Sequence, residues 1–254
     1  MDRTRHRPCR DPSAGSGAGA KPVAMKRIAI VQSNYIPWKG YFDLIAAVDE
    51  FVFLDEVQYT RADWRNRNRI KTPQGPQWLT VPVGDSVHRT IRQVAVADPE
   101  CGHAHWKRLA ANYSRAAHFE TVAQWLEPLY RETPWVGLSA INQRLIEAIC
   151  RFLRIATRLV DSSACDSGGG DRNERLAALC RQAGAGVYVS GPSARAYLDL
   201  AVFARAGVEV AWFDYAGYPV HPQLWGPFVH EVSILDLLFN CGADAARYMK
   251  HAPA

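Results

Sequence analysis

The sequence predicts an α/β protein, built on a mainly parallel sheet flanked by helices, with a β-hairpin excursion and a helical insertion. Three observations carry this. Short β-branched or aromatic runs such as Ile28–Val31 and Phe51–Leu54 are separated by a segment of helical spacing, which is the pattern of a βαβ unit. A middle block from 103 to 156 shows only helical periodicity. Strands and helices then alternate again from Thr157 onward, so the C-terminal part completes the same sheet.

Residues 1–24 are polar, rich in Gly, Ala and Ser, and without period, the composition of a disordered tail. Met25 directly precedes the first strand, so Met1 and Met25 are both candidate translation starts. Residues 25–247 form the expected single domain. Arg27–Val31 reads as a buried strand, Tyr41–Val48 as a helix and Glu50–Val57 as a second strand. A right-handed crossover brings the carboxyl ends of both strands to one sheet edge, where ligands of open α/β sheets collect. Thr72–Pro76 is a turn by composition, and Trp78–Val83 with Ile91–Val96 are the expected strands of the hairpin. His105–Tyr113, Phe119–Tyr130 and Leu138–Leu153 are helices of a helical subdomain. Thr157–Val160 is a strand, and 167–171 is a turn in which Asp171 caps a helix over Arg172–Ala183, stopped by Gly184. Val187–Val189 and Val208–Phe213 are strands, Ser190–Arg195 opens a turn and helix, and Val232–Asn240 is a helix ended by Gly242.

Composition narrows the function classes. The net charge of +5 is mild, and five arginines and two lysines of the first 27 residues hold part of it. The rest is nearly balanced, so no nucleic-acid footprint is expected. No apolar run approaches the roughly 20 residues of a membrane span, and the N-terminus lacks the apolar segment of a secretory signal. A cytoplasmic protein without membrane insertion is the expectation. Six cysteines form no CxxC pair and no Cys/His spacing of a zinc site, so no metal is predicted and the thiols are read as reduced. The sequence specifies no cofactor and no oligomeric state.

The candidate site gathers behind the predicted strands. Gln32 and Asn34, just beyond a buried strand, both donate and accept hydrogen bonds, which suits sugar hydroxyls or a base edge. Tyr35 and Trp38 offer rings for stacking, beside Lys39. Asp55 follows the second strand as a candidate general base, with Gln58 nearby. Arg61, Arg65, Arg67, Arg69 and Lys71 place five cations within eleven residues. In an extended chain, Arg65, Arg67, Arg69 and Lys71 share one face that can grip a diphosphate, with Asn68 interleaved. Ser190 opens an anion-site candidate in Ser190–Ser193, and His221 and Gln223 lie in a Pro-punctuated loop where His221 is the group that titrates near neutral pH. Each has a plain alternative: a packed aromatic, a surface ion pair, a solvated basic face or a structural histidine.

These residues resemble the WbqC-like family. Gln32–Asp43, Asp55–Tyr59, Arg65–Lys71 and Gln77–Val83 look like successive blocks of that family, and Ser190-Gly-Pro, Tyr218-Pro…Pro222-Gln and Ser233–Asn240 like its C-terminal blocks. The resemblance spans about 26–245. Many members begin the first block with His-Gln-Pro where this chain has Val31-Gln32-Ser33, so ligand recognition transfers more safely than an acid–base role there. The family resemblance implies surface-polysaccharide or O-antigen (lipopolysaccharide) biosynthesis. Combined with the residues above, it points to a transferase acting on a small molecule, a nucleotide-activated amino sugar, by acyl or aminoacyl transfer, with Asp55 or His221 as base. The alternatives are nucleotidyl transfer and a non-catalytic assembly factor of the same pathway.

Overall fold

The computed structural model describes residues 25–84, 86, 88–165 and 170–253; the expected N-terminal tail and most of the 167–171 turn lie outside them. Five strands form one parallel sheet: β1 (Arg27–Val31), β2 (Glu50–Phe53), β5 (Arg158–Asp161), β6 (Val187–Ser190) and β7 (Glu209–Trp212). Their order is β5-β2-β1-β6-β7. Ile28 pairs with Glu50 and Val31 with Phe53, so β1 and β2 end level with one another.

Alternate side chains of the sheet feed two cores. Ala29, Phe51 and Phe53 pack on one face with Phe42 and Ile45 of α1 (Lys39–Ala46) and with Leu145 and Ile149 of α4 (Leu138–Phe152). Ile28, Ile30, Val52 and Tyr188 pack on the other with Leu176 and Leu179 of α5 (Arg172–Gln182) and Phe203 of α6 (Leu200–Arg205). This is the period-two alternation of a strand buried on both faces. Asp171 caps α5, accepting from the amides of Asn173 at 2.7 Å and Glu174 at 3.0 Å, while Glu174 accepts from the Asp171 amide. Gly184 follows at φ +64°, the left-handed stop that glycine tolerates.

Two expectations are corrected. The hairpin is formed by β3 (Arg67–Thr72) and β4 (Gly75–Thr80), not by Trp78–Val83 and Ile91–Val96. The basic segment is itself a strand because Asn68 and Ile70 alternate inward beneath its cations, and Gly75 at φ +95° closes the turn. Pro82 has no N–H to continue the ladder. Ile91–Gln93 is a single 3-10 turn, leaving one isolated bridge between Val83 and Val96. The segment after Ser190 is likewise a 3-10 turn, Pro192–Ala196, before α6 begins. The helices α2 (Cys101–Tyr113), α3 (Phe119–Arg131) and α4 share one apolar cluster with the sheet and with α7 (Ile234–Cys241), through Leu109, Leu126, Leu145 and Leu238. Among the described residues no helix is long and apolar enough to cross a membrane.

Candidate functional site

The strand order puts the carboxyl ends of β1 and β6 side by side. The chain leaves β1 toward α1 on one face and β6 toward α6 on the other, which opens a crevice at the switch point. A cavity of about 860 Å³ lies there. Its floor is Ile30, Leu54, Leu176 and Tyr188, and its walls include Gln32, Gln58, Tyr59, Arg61, Arg172, Arg175 and Tyr197. The guanidinium of Arg172 lies over the Tyr197 ring at 4.8 Å. Among the described residues no carboxylate forms an ion pair with Arg61, Arg172 or Arg175. Glu56 also lines the cavity, but its carboxylate is held by Arg92, which also binds Asp161. The capping box likewise occupies Asp171 and Glu174.

The loop after β1 forms the rim. Ile36 sits at φ +36° with its side chain wholly buried. The left-handed region is costly for a β-branched residue, the more so before Pro37. Asn68 of β3 holds it there: its amide donates to the carbonyls of Ile36 at 2.9 Å and Tyr35 at 3.3 Å. Gly40 opens α1 just after this turn, and a Cβ there would stand 2.3 Å from the Trp38 ring. The guanidinium of Arg65 donates to Asn34 and, at 3.3 Å, to Gln32.

Asp55 lies beneath this rim with no exposed surface. It accepts from the Ser33 amide at 2.8 Å, from the Ser139 hydroxyl at 2.5 Å and from Gln143 at 3.2 Å. Its bonds are internal, and it lines neither the crevice nor a neighbouring cavity. His221 is also buried. Its Nε2 lies 3.0 Å from Asp236, which also accepts from Tyr113 at 2.9 Å and Gln223 at 2.7 Å. With Nε2 facing a carboxylate, a neutral ring leaves Nδ1 as the acceptor, and that atom is buried with no partner among the described residues. Gln223 in turn accepts from Lys71 at 2.5 Å, and Lys71 also donates to the Pro227 carbonyl. Burial pushes the Lys71 ammonium below its ordinary pKa and brings Lys39, which donates to the Pro219 carbonyl at 2.8 Å, down to about 8.

The expected residues therefore separate. Gln32 and Gln58 line the crevice, and Ser190 lies buried at the end of β6 beside Tyr188. Asn34, Trp38 and Asn68 line a second cavity of about 440 Å³ with Pro37, Trp64, Arg69 and Glu231. Tyr35 does not stack on a ligand here; it is wholly buried, 2.7 Å from His105 Nδ1 and 3.1 Å from Tyr130. The single cationic face also divides: Arg65 turns to the rim, Arg67 lies over Trp78 at 4.3 Å, Arg69 pairs with Glu231 at 2.9 Å, and Lys71 is buried. Missed from the sequence were Arg172, Arg175 and Tyr197. The available signal was a pair of arginines three residues apart, on one face of the first turn of a capped helix that follows a glycine run. Cys150 and Cys180 are buried, and burial pushes both thiols up to about 12, away from nucleophilic use. Among the described residues no group of three His, Cys, Asp or Glu is placed to hold a metal ion.

A parallel sheet with helices on both faces and a polar crevice at its switch point defines a doubly wound α/β protein with a candidate ligand site at the strand ends. Residues 32–248 match the WbqC-like protein family, and the chain belongs to it. It is 55% identical over 229 residues to a Mycobacterium tuberculosis (strain ATCC 25618 / H37Rv) protein named as the uncharacterized protein Rv1507c, covering 89% of this chain and 99% of that one. No solved structure matches.

Proposed function

We propose that the chain is an enzyme of surface-polysaccharide biosynthesis that binds a nucleotide-activated amino sugar in the crevice and transfers an acyl or aminoacyl group to it. The observation that carries the reading is the set of three guanidinium groups, Arg61, Arg172 and Arg175, around a switch-point cavity without a described carboxylate partner. Guanidinium forks suit a diphosphate, the exposed Tyr197 ring suits a flat or apolar ligand face, and the carboxamides of Gln32 and Gln58 suit hydroxyls. In this reading Asp55 is a positioning residue that fixes Ser33 beneath the rim. His221 belongs to the knot that ties the 218–225 loop to α7.

Thermal shift with UDP-, GDP- and dTDP-sugars tests it, against nucleoside monophosphates and free sugars as controls. Ligands that bind the folded state raise its apparent stability. Nucleotide sugars should raise the melting temperature more than either part alone, and Arg172→Ala with Arg175→Ala should sharply reduce the shift. A shift given equally by free sugars, or untouched by the double substitution, contradicts the reading.

The strand order favours a second reading, nucleotidyl transfer. In chain order the five strands read 3-2-1-4-5, the order of nucleotide-binding α/β halves, an analogy of fold alone. ATP turnover to pyrophosphate would select this reading over acyl transfer.

A further inference from the structure

Beside the rim, two cavities of about 440 and 360 Å³ share Trp64 and Arg69 and adjoin as one groove. One end carries Asn34, Trp38 and Glu231, and the other Asp63, Arg67 and Trp78. Trp64 and Trp78 are 43% and 40% exposed, whereas the other described tryptophans are buried or half-buried. Leaving two neighbouring indoles in water is unfavourable, and a large apolar ring kept exposed beside polar groups marks a ligand surface.

We propose that this groove is a second ligand site and that it takes a short saccharide chain. Four features select that chemistry. The two indoles stand 5.5 Å apart at 42° to one another, so they touch and form one angled apolar surface, with Arg67 over Trp78; an uneven surface of this kind suits the C–H face of a puckered ring and offers no parallel slot for a flat base. The Arg69–Glu231 pair presents a donor fork beside an acceptor carboxylate, which together satisfy hydroxyl groups that both donate and accept. Arg67 Nε and Arg69 Nε are buried with no acceptor among the described residues, and Asn34, held through its oxygen by Arg65, keeps its amide hydrogens to donate. Finally, two abutting cavities suit several linked rings better than one nucleotide. A pocket that is mostly apolar with a few convergent polar groups is the usual form of a small-molecule site.

The groove also meets the crevice. Gln32 lines one and Asn34 the other, and two residues span at most about 7 Å of chain. Arg65 grips both side chains, so a single guanidinium aligns the rims of the two sites.

Saturation-transfer NMR and calorimetry test the groove directly. The probes are methyl glycosides of glucose, galactose, mannose and N-acetylglucosamine and their di- and trisaccharides, with adenosine and UMP as flat-ring comparators. At least one oligosaccharide should bind saturably and more tightly than its monosaccharide. Trp64→Ala should weaken that binding at least tenfold and Trp64→Phe should recover most of it. Trp78→Ala should act on the oligosaccharide more than on the monosaccharide. Both tryptophans are exposed, so circular dichroism of the variants should be unchanged. Arg172→Ala with Arg175→Ala should leave saccharide binding intact, which separates this site from the crevice reading. Absence of saturable saccharide binding, indifference to both alanine variants, or Trp64-dependent binding of adenosine instead would overturn the proposal.

Discussion

Replacing Asp55 with Asn separates a chemical role from a positioning role at one atom. In the folded protein the carboxylate accepts three hydrogen bonds, from Ser33, Ser139 and Gln143, with no exposed surface. Asparagine keeps the shape but offers one acceptor oxygen and brings an NH₂ group. If its oxygen stays on the Ser33 amide, the NH₂ meets the Ser139 hydroxyl, which must turn to accept, and Gln143 loses an acceptor. Charge-assisted bonds worth about 1.5–3 kcal/mol become neutral ones of about 1 kcal/mol, and the Ser139 hydroxyl loses its acceptor, while Gln143 keeps Asp161. The sum is a loss of roughly 2–4 kcal/mol of folding stability. For a domain of this size that is about 5–15 °C in melting temperature. Urea denaturation and calorimetry of Asp55→Asn read it, with ligand affinity in the crevice as the second readout. Asp55→Asn with an unchanged melting temperature and abolished turnover would refute the positioning account and return Asp55 to the role of base.

Other perturbations follow from the same structure. Asn68→Ala removes both bonds that hold the strained turn at Ile36, costing about 2–3 kcal/mol, and hydrogen exchange over 32–38 should quicken while the β1–β2 ladder stays protected. His105 is buried, and burial brings its pKa down to about 4; Arg108 pushes the same way and the Thr80 carbonyl opposes it. Between that value and about 6.5 the unfolded chain binds a proton that the folded chain refuses. The contribution is therefore complete above about pH 6.5 and falls by about 3 kcal/mol as the pH drops toward 4. Urea titrations from pH 8 to 4.5 should show this slope, and His105→Gln should flatten it; an equal slope in the variant removes His105 as the cause.

Much of the fold is legible in the sequence because buried parallel strands and capped helices announce themselves locally. Ile28–Val31, Phe51–Phe53 and Asp171 with Gly184 are such signals and each stands where its pattern places it, although β2 ends at Phe53, short of the expected Val57. The hairpin is displaced because charge hides alternation. In Arg67–Thr72 the inward side chains are Asn68 and Ile70, and a buried asparagine does not read as apolar. The site divides along a similar line. Gln32 and Asn34 follow β1 closely and Gln58 comes one turn after β2, so topology alone places them near the edge. Arg172 and Arg175 arrive from a helix far along the chain, and only the strand order reveals that α5 begins beside β1 and β2. Burial also reverses the reading of Tyr35 and Lys71, whose polar atoms serve partners distant in sequence, His105 and Gln223.

The central claim is that the arginines of the switch-point crevice hold the diphosphate of a nucleotide sugar. Isothermal titration of the wild type and of Arg172→Ala with Arg175→Ala, using whichever of the UDP-, GDP- or dTDP-sugars gives the largest thermal shift, measures it directly. Each of these solvent-reachable guanidinium groups contributes about 1 kcal/mol after screening, so the double substitution should weaken binding roughly thirtyfold. Wild-type affinity should fall as salt rises from 50 to 300 mM, and the variant's affinity should fall less. Equal affinities for the two proteins, or binding indifferent to salt, would contradict the account.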